Sequence, residues 1–199
     1  SSDVCSSDLT SISRIIIAGL FAMTVAPALA AQNTDVFEQS YESCAVNAEG
    51  IFSAIRDYQS GVPETKAVEK WAENGLRAYK LILNKGVEHA YISAHVHYFM
   101  CAKEIDKRKP LGSINKNSIE GMYAGCASKH GERFVVLDGI IKGISKSNLR
   151  SKFSQHPHIL RLVDTVYGIV EEGSKLKAFM MSAEAHRACY AATRKEWSQ

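Results

Sequence analysis

The stretch Phe37-Glu38-Gln39-Ser40-Tyr41-Glu42-Ser43-Cys44-Ala45 returns as Ile119-Glu120-Gly121-Met122-Tyr123-Ala124-Gly125-Cys126-Ala127. This duplication constrains the fold more than any other feature, because an internal repeat outranks local signals. The register holds without gaps for some distance. Eight residues beyond either cysteine stands a phenylalanine (Phe52, Phe134), and seventeen beyond stands a glycine followed by an aliphatic residue (Gly61-Val62, Gly143-Ile144). Further on, Leu76-Arg77 answers Leu160-Arg161, Gly86 answers Gly173, and Cys101 and Cys189 close the two copies.

Apolar residues within each copy recur at helical steps, and no stretch sustains the two-residue alternation of a half-buried strand. In the first copy, Asn33 or Thr34 is expected to cap a helix running to about Ser60, with Phe37, Tyr41, Cys44, Ala45, Ala48, Ile51, Phe52 and Ile55 on one stripe. Gly61 stops it. Pro63 starts a short helix to about Glu73 carrying Ala67, Val68 and Trp71, and Asn74-Gly75 ends that. A medium helix with Leu76, Tyr79, Leu81, Ile82 and Leu83 leads to Gly86. A long one from Val87 to Arg108 then places Ala90, Tyr91, Ala94, Tyr98 and Cys101 on its inner side. Pro110, Gly112 and the polar residues after them form the linker.

The second copy repeats the plan. Asn117 or Ser118 caps a long helix to Lys142, Ser145 begins a short one, and the interruption Gln155-His156-Pro157-His158 precedes a medium one. Ser174 caps a last helix to about Trp197, with Leu176, Phe179, Met180, Ala183 and Tyr190 on its apolar side. The fold class expected is all-α: two tandem disulfide-clasped repeats of about four helices each, packed as a pseudo-symmetric pair. Residues 31–109 form the first repeat, 110–117 the linker and 118–199 the second.

Residues 1–9 read as the translation of a sequencing adapter and are set aside together with Cys5. Residues 10–30 have the build of a secretory signal peptide. Arg14 precedes the apolar run from Ile15 to Ala26, and Ala28-Leu29-Ala30 offers a cleavage site before Ala31. The run is short for a membrane span and lacks a basic flank after it, so no stable span is expected after cleavage. Removing residues 1–30 takes away Arg14, Asp3 and Asp8, which changes the net charge from +3 to +4. An excess this small, spread over several helix faces, does not make the concentrated stripe that nucleic acid requires.

Four cysteines then remain, one opening and one closing each copy. In an exported protein that placement points to disulfides, and of the three pairings possible, duplication selects Cys44 with Cys101 and Cys126 with Cys189. The sequence contains no C-x-x-C pair of the kind zinc and redox sites use.

The histidines make no chelating pattern. His95 and His97 point roughly 160° apart on a helix, and His89 and His97 lie about 12 Å apart along it. No metal or cofactor is expected. His130 stands on the apolar stripe where the first copy has Ala48, which makes it the candidate titrating residue. Glu38 and Glu120 recur near helix starts and Arg77 and Arg161 recur in the medium helices, as dipole-complementing and ion-pairing residues first.

No phosphate loop, nucleophile elbow, dinucleotide fingerprint or calcium loop appears. The expectation is an exported helical binding protein of the bacterial cell envelope, periplasmic or secreted. Its partner would be an envelope or extracellular protein, and its role stress-related, chaperone-like or inhibitory. The competing expectation is an envelope hydrolase with a cleft between the repeats and His130 as its base. The oligomeric state is not legible.

Overall fold

A computed structural model describes residues 40–197, which belong to one compact unit. The adapter-like start, the signal peptide, the cap at Asn33 or Thr34 and the stripe position Phe37 lie outside the described residues.

Helix α1 (Tyr41–Gln59) starts later than the cap expected at Asn33 or Thr34. The physical reason is a capping box at Ser40, whose backbone is extended: the Ser43 N–H donates to Ser40 Oγ (3.0 Å) and the Ser40 N–H donates to Ser43 Oγ (2.9 Å). Its stripe is buried as the spacing requires, from Tyr41 and Cys44 through Ala48 and Phe52 to Ile55. Gly61, at φ 78°, turns the chain out of the helix.

Helix α2 (Glu64–Lys85) consists of two helical segments, as expected, but they do not part at Asn74-Gly75. One break occurs, at Ala72, which takes the left-handed φ of 49° with ψ −131°. Gly75 is helical and buried, and its role is close approach. A Cβ built there would lie 2.5 Å from the Ala67 carbonyl oxygen, so the lack of a side chain is what lets the segment after the break fold back over the one before it. Leu83, expected on the apolar side, is 66% exposed at the end of the helix.

This assigns different roles to two helical glycines. Gly75→Ala should destabilise by about 1–3 kcal/mol, because the opposing atom is backbone and cannot swing away. Gly125→Ala meets nothing within 4 Å and should stabilise by up to about 1 kcal/mol through helix propensity. Urea midpoints of the two variants check the pair, and equal shifts would remove the close-approach role.

Helix α3 (Val87–Arg108) follows Gly86. The linker contains a 3-10 turn (Leu111–Ser113) anchored by the Leu111 N–H donating to Asp106 Oδ1 (3.0 Å), and it tucks Ile114 inward. Helix α4 (Ile119–Ile141) is capped by Ser118, α5 (Lys146–Lys152) by Ser145, and α6 (Pro157–Glu171) opens on a proline whose missing N–H costs nothing in a first turn. Helix α7 (Lys175–Trp197) begins where Ser174 Oγ accepts from the Lys177 N–H. The described residues hold these seven helices and no strand, three before the linker and four after it. The short and medium helices expected before the linker are the two parts of α2 on either side of Ala72.

Helices α1, α3, α4 and α7 pack against one another as the centre. Outside them, α2 covers α1 and α3, α6 covers α4 and α7, and α5 rests on α6. Disulfides join Cys44 of α1 to Cys101 of α3 and Cys126 of α4 to Cys189 of α7. A tyrosine ties down the turns after α1 and α4: the Tyr79 hydroxyl donates to the Val62 carbonyl and the Tyr167 hydroxyl to the Ile144 carbonyl. Two disulfides fit an oxidising, extracytoplasmic compartment. Among the described residues no helix is long and apolar enough to cross a membrane.

Candidate functional site: a histidine seam and a cationic cleft

The helical period that buries Tyr91 and Tyr98 on α3 also buries His95, and the period through Phe179 and Ala183 on α7 buries His186. With His130 of α4 they meet at the centre of the bundle, exposed by 0%, 1% and 1% for His95, His130 and His186. The rings of His95 and His130 stack with centroids 5.2 Å apart, and His130 and His186 meet edge to face at 6.0 Å. Tyr98 lies 4.5 Å from both His130 and His186, and Phe52 lies 4.7 Å from His95. The rings stack and tilt instead of converging on a point. Among the described residues no group of three or more histidine, cysteine, aspartate or glutamate side chains is placed to hold a metal ion.

Each imidazole makes one hydrogen bond, through Nε2 to a backbone carbonyl, and each of these bonds crosses the divide between residues before and after the linker. His95 reaches Phe179 O (2.9 Å), His130 reaches His95 O (3.4 Å) and His186 reaches Ala45 O (3.3 Å). A carbonyl can only accept, so Nε2 carries the proton and Nδ1 presents a lone pair. All three Nδ1 atoms are buried without a hydrogen-bond partner, as are the Tyr98 hydroxyl and Ser182 Oγ.

Burial holds the His95 imidazole down to about 4, with nearby His186 adding to the shift against the opposing bond to Phe179. Burial likewise brings His186 to about 4, opposed by its bond to Ala45 and helped by Arg133 and Arg187. His130 lies well below the usual histidine range, through burial first and then through its neighbours His95 and His186. All three are neutral at pH 7.

A second feature lies at the surface. Between α1, the break in α2 and the end of α7 is an open cleft of about 750 Å³ whose lining includes Glu49, Lys70, Trp71, Ala72, Arg187, Tyr190, Arg194 and Lys195. The Trp71 Nε1–H donates to Asp57 Oδ2 (2.8 Å), and Lys70 Nζ donates to the same oxygen (3.3 Å) while lying 4.8 Å from the Trp71 ring centroid. Burial pushes the Asp57 carboxyl up, but these two bonds outweigh it and hold the group below its ordinary value. Arg187 Nε donates to Glu49 Oε1 (3.0 Å), and the Arg194 guanidinium lies 5.9 Å from the Tyr190 ring centroid. Cations beside aromatic faces bind anionic groups attached to flat or apolar ones.

Of the residues singled out in the sequence, the four cysteines are paired and His130 is in the seam. His89 is half-buried and His97 exposed, and His158 Nε2 lies 3.5 Å from Glu132 Oε1. The Glu120 carboxylate accepts from the Tyr41 N–H (3.0 Å), tying the start of α4 to the start of α1. Sequence reasoning missed His95 and His186 as seam residues, although Tyr91, His95 and Tyr98 follow steps of four and three, as an inward stripe does. The cleft left no trace in the sequence, because its walls come from three separate helices.

The chain matches no family model, no curated protein and no solved structure in comparisons with each. Its fold places it in the broad class of disulfide-bonded, all-helical proteins.

Proposed function

We propose that this chain is an exported binding protein of the bacterial cell envelope, periplasmic or secreted, that holds another macromolecule without turning over a substrate. Its role would be stress-related, chaperone-like or inhibitory. The cleft carries the reading. Its lining offers recognition chemistry, with Lys70 beside Trp71 and Arg194 beside Tyr190, and its carboxylate Glu49 is tied to Arg187. The partner this favours is an acidic segment of an envelope or extracellular protein.

The competing hydrolase needs a base that can reach a substrate, and His130, at 1% exposure among packed rings, is badly placed for that. Binding to envelope proteins, followed by light scattering and crosslinking, tests the two. A stoichiometric complex weakened about tenfold by Arg194→Glu or Trp71→Ala is expected, since central aromatic and arginine contacts carry such interfaces. Product release abolished by His130→Ala would replace this reading with the hydrolase.

The organisation we propose behind this function is a signal peptide at residues 10–30, then two copies of one unit, residues 31–109 and 118–199, joined by 110–117 and packed as a pseudo-symmetric pair. One disulfide in each copy and the tyrosine-to-carbonyl bonds at Val62 and Ile144 support the duplication. The Ala28-Leu29-Ala30 site supports export. N-terminal sequencing of the exported protein should begin at Ala31, and recovery of the run from Ile15 to Ala26 would defeat the signal assignment.

A further inference from the structure

We propose that the histidine seam is an acid-operated joint: protonation of His95, His130 and His186 parts the two disulfide-clasped halves, while each half keeps its disulfide and its helices. The aromatic residues of the seam are bared by this opening. The inference does not depend on which partner the cleft takes.

Where the rings point is the first ground. The single hydrogen bond of every buried imidazole runs from one half to the other. Protonation at Nδ1 leaves these Nε2–H bonds in place, so what it adds is uncompensated charge at the surface where the two halves meet. A proton added at Nδ1 becomes a buried donor with nothing to receive it, since all three Nδ1 atoms lack partners.

A second ground is the spacing of the rings. With His95 and His130 stacked at 5.2 Å, charging both sets like charges face to face in a dry interior, where their repulsion is far stronger than in water.

The surroundings do not offset this. From α1 come Tyr41 and Glu49, the latter held by Arg187. From α3 comes Tyr98, from α4 Arg133, and from α7 Arg187 and Tyr190, with Tyr91 and Tyr123 one ring further out, behind Phe52 and Tyr190. Among the described residues no carboxylate is hydrogen-bonded to any of the three rings, and Arg133 and Arg187 add positive charge. The covalent ties run the other way. Cys44–Cys101 joins α1 to α3 and Cys126–Cys189 joins α4 to α7, so neither disulfide resists parting of the halves.

What the opening exposes is apolar. Phe52 and Tyr98 on one side and Phe134 and Phe179 on the other are all buried in the closed state. Phe99 stacks on Phe134 across the divide at 4.5 Å.

The test is a pH titration of the full chain from 7.5 to 3.5 under non-reducing conditions, following near-UV and far-UV circular dichroism and the fluorescence of an apolar dye. Dye binding should rise several-fold and the aromatic signal fall between about pH 6.5 and 4, reversibly, with most of the helical signal retained. His95→Gln and His130→Gln should each move the midpoint down by about half a pH unit or more, because each removes one proton from the transition. Dye binding that stays flat to pH 4, loss of helical and aromatic signals together, or glutamine variants with unmoved midpoints would each overturn the joint. Should a variant fail to fold at pH 7, imidazole NMR signals of the wild type decide. Three buried rings that titrate with the opening support it, and three that stay neutral through it refute it.

Discussion

Removing both disulfides is expected to unfold the protein at 37 °C. The bonds Cys44–Cys101 and Cys126–Cys189 close loops of 57 and 63 residues. In the chain-entropy account each restricts the unfolded state enough to stabilise the native one by about 4 kcal/mol. Together they contribute about 8 kcal/mol, comparable with the whole stability of a typical domain. Cys44 and Cys126 are buried, at 1% and 4% exposure, so breaking the bonds also leaves thiols in an apolar setting. Double alanine variants of each pair isolate the two contributions. Urea unfolding of Cys44→Ala with Cys101→Ala should show a loss of about 4 kcal/mol. A loss below about 1 kcal/mol would mean that packing alone constrains the first half.

Acid is the second large perturbation, and its sign follows from where the protons go. The folded-state values of His95 and His186 are about 4, against 6.5 for an ordinary histidine. Below pH 6.5 the unfolded chain therefore binds more protons than the folded one. Stability is complete above pH 6.5 and falls as the pH drops toward 4, where the folded state starts to take up the same protons. Each of these two residues should remove about 3 kcal/mol over that window, with His130 adding in the same direction. With three groups out of balance the slope should approach 4 kcal/mol per pH unit, roughly, for as long as the seam stays closed. Chemical unfolding at pH 7, 6, 5 and 4.5 measures it, and a slope no steeper than one proton allows would contradict neutral burial of all three. Asp57, held below its ordinary value, adds its own loss only under about pH 4.

Much of the fold was readable because the signals are local or repeated. Ser118, Ser145 and Ser174 cap helices because a side-chain oxygen two or three residues from free amides needs no tertiary context. Gly61, Gly86, Gly143 and Gly173 mark helix ends because only glycine takes a positive φ without strain. The cysteine pairing was legible because the recurring sequence pattern places one cysteine near the start and one near the end of each stretch.

The misreadings share one cause. Gly75 looks like a stop in sequence, and its meaning comes from the Ala67 carbonyl lying 2.5 Å from where its Cβ would be. Ser40 was passed over as the cap of α1 because many polar side chains can cap, and only the backbone shows that Ser40 does.

The sequence by itself determined the helices, their order and the two clasps, since periodicity, capping chemistry and repetition act along the chain. Only the tertiary structure decided that His95, His130 and His186, up to 91 residues apart, share one dry seam. It likewise brought Glu49, Trp71 and Arg194 to one cleft. The physical reason is that burial and ring contact depend on how helix faces meet, and a side chain's protonation follows from those neighbours more than from its own residue type.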